Sequence, residues 1–161
     1  MKNKKVLNLC RAAIIAALYV VLTYIANALG LASGSIQVRF SEALTILPFF
    51  TPAAIPGLFV GCLLSNILTG CALPDIIFGS IATLLGALGT YFLRKKSPWL
   101  APVSPIVANT VIVPFVLLYA YGVQPLWLSF ITVGIGEIIS CGVLGMLLLF
   151  ALKKRAGALF D

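Results

Sequence analysis

The chain has 161 residues, 61% of them hydrophobic and only 9% charged, with a formal charge of +7 and no histidine. Its mean hydropathy of +1.14 is far above that of a soluble domain, in which about half the residues are apolar. This is an integral membrane protein with room for about six helical crossings of roughly 20 residues each. The missing histidine removes the usual metal ligand and neutral-pH base, and no P-loop sequence is present, so any ATP hydrolysis must come from a partner.

The first apolar segment runs over 9–29, with Lys2, Lys4, Lys5 and Arg11 at its N-terminal end. Ala26-Asn27-Ala28 resembles a signal-cleavage site. The apolar run from 12 to 29 nevertheless exceeds the roughly 7–15 residues of a signal core, so it is expected to remain as a span. Further apolar segments occupy 43–50, 53–68, 74–93, 101–121 and 126–152, punctuated by glycine, proline or charge. Arg94-Lys95-Lys96 follow the fourth, and Lys153-Lys154-Arg155 follow the last. Short basic runs beside apolar segments are the pattern of membrane orientation, and no nucleic-acid partner is expected.

By the positive-inside rule all three basic clusters face the cytoplasm, so an even number of crossings separates each from the next. Before Arg94 only three segments are long enough, and 35–52 must supply a fourth. As an α-helix, 42–52 covers only about 15 Å of a core about 30 Å thick, and Pro48 and Pro52 interrupt it. Irregular backbone survives at that depth only when protein shields it or it lines a wet cavity. The expectation is an all-α integral membrane protein forming a single domain over 1–161. It is a six-transmembrane-helix bundle with cytoplasmic N and C termini and a short, broken second crossing.

Intramembrane charge is costly and marks function or an interhelical clasp. Glu137 falls about eleven residues into its segment, near the middle of a span of roughly 20, and Asn109 lies at similar depth. Each either contacts ligand or holds two helices together. Asn66 and Asp75 bracket the turn between the third and fourth segments. Asp75, after Pro74, also suits a helix N-terminus. Arg39 and Glu42 either hold substrate or pair with each other. Trp99 and Trp127 fit an interfacial belt, and Tyr119, Tyr121 and Phe130 either stack on a planar ligand or pack. Cys10, Cys62, Cys71 and Cys141 form no CxxC pair and read as small residues in helix contacts. No metal or cofactor is expected.

Small residues four apart let helices approach closely. Gly57/Gly61, Ala82/Gly86 and Cys141/Gly145 qualify. So do Ala12/Ala16 and Ala13/Ala17, two overlapping registers that make the first span the candidate docking face for another membrane subunit.

The run Ile36-Gln37-Val38-Arg39-Phe40-Ser41-Glu42-Ala43-Leu44, continuing through Leu47-Pro48 to Pro56-Gly57 and Asn66, resembles the QueT family. Its members are substrate-binding S components of energy-coupling factor (ECF) transporters for queuosine precursors. The resemblance implies a bundle with no ATPase of its own. It also implies a ligand bound from outside, and docking through Ala12, Ala13, Ala16 and Ala17 onto an ECF module of one scaffold subunit and two ATPases. A 7-deazapurine then makes sense of the polar set. A carboxylate accepts from the guanine edge's ring N–H and amino group together, and the carbonyl needs a donor such as Gln37, Arg39 or Asn109. Glu137 is expected at the guanine edge and Glu42 near a cationic arm, or the reverse, with Asn66 and Asp75 beside them. The alternatives are an S component for another vitamin, a standalone secondary transporter, a membrane enzyme lacking any recognisable catalytic set, and an assembly protein.

Overall fold

The computed structural model describes residues 3–32 and 36–160. Lys2 of the first basic cluster and the start of the expected crossing at Ser35 lie outside the described residues. Every described element is helical. Among the described residues four helices are long and apolar enough to cross a membrane: Lys4–Ala28, Leu73–Leu93, Pro98–Tyr121 and Leu126–Lys153. Two shorter apolar helices, Phe40–Phe49 and Ala54–Leu68, lie between the first two of these.

Helix α1 (Lys4–Ala28) starts at Asn3, whose Oδ1 accepts from the Lys5 N–H at 3.2 Å. It ends before Gly30, whose φ of 71° lies in the left-handed region that glycine enters without strain. Helix α2 (Ala54–Leu68) packs along α1 because two glycines remove the side chains between them. A Cβ on Gly57 would stand 2.7 Å from the Ala12 carbonyl oxygen, and one on Gly61 would stand 2.7 Å from Tyr19 Cβ. Ala12 and Ala16 are therefore the internal half of the small-residue face expected to dock a partner. Ala16 is buried, whereas Ala13 and Ala17 are exposed.

Phe40–Phe49 is a 3-10 helix, buried from Ser41 to Pro48. It packs on α1, α2, α3 (Leu73–Leu93) and α6 (Gly145–Lys153). Such helices seldom exceed 3–4 residues because their hydrogen bonds are poorly aligned. Here the shell of helices supplies the missing stabilisation. Ile46, Leu47, Leu58 and Leu149 interlock around it, and Thr45 Oγ1 donates to the Glu42 carbonyl at 2.6 Å. The tighter winding also lengthens it. At about 2.0 Å per residue, ten residues reach about 20 Å, where an α-helix would reach about 15 Å.

Helix α4 (Val103–Tyr121) packs on α3, and Thr90 Oγ1 donates across that junction to the Ala101 carbonyl at 2.7 Å. Helix α5 (Leu126–Glu137) continues through a π-helical stretch, Ile138–Leu144, into α6. A short helix, α7 (Ala156–Phe160), follows and is tied to α1 by Arg11 Nη2 donating to the Leu159 carbonyl at 3.2 Å. Ile14, Phe92, Val107 and Leu147 are among the large apolar residues exposed on the bundle's outside, as a lipid-facing surface requires. Trp99 and Trp127 are exposed too. Cys62 and Cys141 are buried as expected, but Cys10 is exposed and Cys71 half-buried.

Candidate ligand-binding site

A cavity of about 350 Å³ opens where the C-terminal part of α1, the segment 36–39, the α2–α3 turn and the end of α4 converge. That volume lies within the usual range of about 300–1,000 Å³ for small-molecule sites. Gln37, Arg39, Asn66 and Asp75 line it, so four of the residues singled out from sequence meet on one wall.

Asp75 sits in the first turn of α3, where the helix dipole favours a carboxylate. The Tyr121 hydroxyl donates to its Oδ2 at 3.1 Å and accepts from the Ala72 N–H at 3.0 Å. Asn66 spends its Nδ2 on the Asp75 carbonyl at 3.4 Å and on Cys62 Sγ at 3.6 Å. Its Oδ1 has no hydrogen-bond partner among the described residues, and Asn66 lines the cavity. The Arg39 backbone N–H donates to Ser140 Oγ at 3.1 Å. Its guanidinium lies in the field of Asp75 and Glu42, yet the described residues contain no ion pair between Arg39 and Glu42. The pairing that would have made these two a mere structural couple is not formed.

Glu42, Asn109 and Glu137 come together elsewhere, behind the cavity wall. Asn109 Nδ2 donates to Glu42 Oε2 at 3.3 Å and to Glu137 Oε2 at 3.2 Å. Cys141 Sγ donates to Glu137 Oε2 at 3.2 Å, and the Tyr19 hydroxyl donates to Glu42 Oε1. All three expected residues are buried, and none lines the cavity. Donor atoms of Glu42, Glu137 and Cys141 lie within 4.8 Å of one another, close enough to surround a cation. Both Glu42 oxygens and Glu137 Oε2 are already engaged by protein donors. Its position follows from backbone geometry. The π-helical stretch begins just after Glu137 and turns Ser140 and Cys141 inward, and Gly136 lets the Gln37 carbonyl pack directly on α5.

Tyr19 connects the two regions. It is 1% exposed, lines the cavity and bonds the cluster. Sequence reading missed it together with Thr23 and Asn27, which line the same wall. The signal was present: 19, 23 and 27 are polar positions four apart on an otherwise apolar helix, hence one face. Of the aromatic candidates, Tyr121 reaches the cavity. Tyr119 is 81% exposed, and Phe130 packs edge-on against Phe115 at 5.6 Å.

A family model described as QueT transporter matches residues 9–154. The queuosine precursor transporter QueT of Lactococcus lactis subsp. cremoris (strain MG1363) is 38% identical over 85 residues, which cover 53% of this chain and 50% of that protein. The match therefore spans about half the length of that curated relative. No solved structure matches the chain.

Proposed function

The chain belongs to the QueT transporter family, and on that premise we propose that it is the substrate-binding S component of an ECF-type importer for a queuosine precursor. It is a multi-pass protein of the cell membrane. In this reading the six apolar helices make six crossings, both termini are cytoplasmic, and the cavity opens outward. Uptake is driven by the two ATPases of an ECF module.

The observation that carries the ligand assignment is the balance of hydrogen-bonding valences on the cavity wall. Asp75 is a carboxylate, Asn66 offers Oδ1, and the Tyr19 hydroxyl has already given its proton to Glu42 and offers only lone pairs. Against these acceptors stands the Arg39 guanidinium, a rigid fork of donors. A complementary ligand is rich in N–H groups and carries a carbonyl, as a 7-deazaguanine does. Asp75 takes the ring N–H and amino group, the role expected of Glu137, and Arg39 or Gln37 donates to the carbonyl. Glu42, Asn109 and Glu137 hold Tyr19 and the 3-10 helix in position. For the docking face, the exposed Ala13/Ala17 register remains available to the scaffold subunit.

The test is thermal stabilisation of the detergent-solubilised protein by a panel of 7-deazaguanines, set against riboflavin, thiamine and biotin. Stabilisation confined to deazaguanines is expected, and its loss in Asp75→Asn localises the site. Stabilisation by another vitamin alone overturns the substrate assignment. Co-purification of a scaffold subunit and two ATPases is expected of an S component, and their absence favours a standalone carrier.

A further inference from the structure

At the other end of the bundle from the cavity lies a second groove of about 340 Å³ between α1, the 3-10 helix and α6. Ile15, Leu18, Leu44, Leu47, Leu148 and Leu152 form its walls, and Arg11 is the charged residue on its lining. It extends from Arg11 to Leu18 along α1, about 10 Å at 1.5 Å per residue. Helix α7 lies at its end, held by the Arg11–Leu159 hydrogen bond and by Phe160 stacked on Phe50 at 5.2 Å and 7°. That bond uses one N–H of the five in a guanidinium, so Arg11 keeps donors for an anion.

Among the described residues the charge around the groove is one-sided. Lys4 and Lys5 begin α1, and Lys153, Lys154 and Arg155 join α6 to α7; all five are exposed. The described acids, Glu42, Asp75 and Glu137, sit at the ligand cavity or in the buried cluster instead. An apolar slot beside exposed cations complements a molecule with a hydrocarbon chain and an anionic head. We propose that this groove binds an anionic phospholipid of the surrounding bilayer, with one acyl chain between α1 and α6 and the phosphate at Arg11. Cations beside transmembrane helices recognise anionic headgroups in this way. Phosphatidylcholine, which carries a compensating ammonium, would gain the chain contacts without the net charge attraction. This site is independent of the transported ligand.

Native mass spectrometry and thermal unfolding of the full chain, titrated with phosphatidylglycerol or phosphatidylcholine of identical acyl chains, test the proposal. One phosphatidylglycerol should be retained and should raise Tm more than phosphatidylcholine does. Arg11→Gln should weaken that retention about fivefold, whereas Lys95→Gln, outside the groove, should leave it unchanged. Leu18→Trp, at a position 46% exposed, should block the slot and abolish retention. It also carries the test if Arg11→Gln fails to fold. Equal retention of the two lipids, undiminished binding by Leu18→Trp, or a co-purifying polypeptide that excludes phosphatidylglycerol would each overturn the proposal.

Discussion

Two polar regions meet at Tyr19 and differ in how their hydrogen bonds are spent. In the Glu42–Asn109–Glu137–Cys141 cluster, protein donors face protein acceptors across three helical elements. On the cavity wall, Arg39 and Asn66 retain unspent valences, and Asp75 is engaged chiefly by one tyrosine. The contrast shows that buried acids in one membrane protein differ in how far their hydrogen bonds are spent within the protein. Bonds spent within the protein tie helices together, while unspent donors and acceptors around a void are available to a ligand.

The sharpest break of this comparison is Glu42→Ala. It leaves the Tyr19 hydroxyl and one of the two Asn109 amide N–H groups without a partner, while the other N–H keeps Glu137, at about 2 kcal/mol for each lost partner. About 4 kcal/mol of stability should be lost, seen as a large fall in Tm before any ligand is added. Asp75→Asn should do the reverse. The fold survives because the amide still accepts from Tyr121, but a charge-assisted acceptor is gone, and binding of a 7-deazaguanine should weaken about a hundredfold. Calorimetric titration together with a melting curve separates the two outcomes. If Asp75→Asn unfolds the protein while Glu42→Ala merely weakens binding, the roles of the two regions are exchanged.

Next in size is Gly61→Val, which forces a side chain onto Tyr19 Cβ and the Ala16 backbone. Overpacking of that kind costs about 1–3 kcal/mol. Because it displaces Tyr19, it should also impair ligand binding more than its Tm alone accounts for. The smallest expected effect on the isolated chain is Ala17→Trp, an exposed change worth within about 0.5 kcal/mol. It should nonetheless reduce co-purification with a scaffold subunit. The corresponding Ala16→Trp should destabilise the chain itself and so says nothing about docking.

The apolar segments read from hydropathy and breaker residues coincide closely with the helices. The segment 53–68 became Ala54–Leu68, 74–93 became Leu73–Leu93, and 126–152 became Leu126–Lys153. Length and polarity govern what can lie in hydrocarbon, and both are local properties of the chain. The short second segment was also legible, because Pro48, Pro52 and its length argued against an ordinary helix. Its 3-10 winding was not, since a long 3-10 helix is unfavourable alone and persists only with neighbours on every side. The contribution of α1 to the cavity was overlooked because Tyr19, Thr23 and Asn27 are individually unremarkable. Only their spacing on one face was informative.

By itself, then, the sequence determined that the chain enters a membrane, where its helices break, and which few polar residues must be buried together with company. Those follow from transfer energies that each segment carries wherever it packs. Only the tertiary structure decided which company each polar residue keeps. Arg39 is as close in sequence to Glu42 as an ion pair would need, yet it faces the cavity with Asp75, thirty-six positions further on, while Glu42 turns to Asn109 and Tyr19. The same holds for Ala12 and Ala13, neighbours in the chain of which α2 packs on the first and leaves the second exposed. Hydrogen bonds and close packing are set by three-dimensional proximity, and proximity is fixed by how the helices cross.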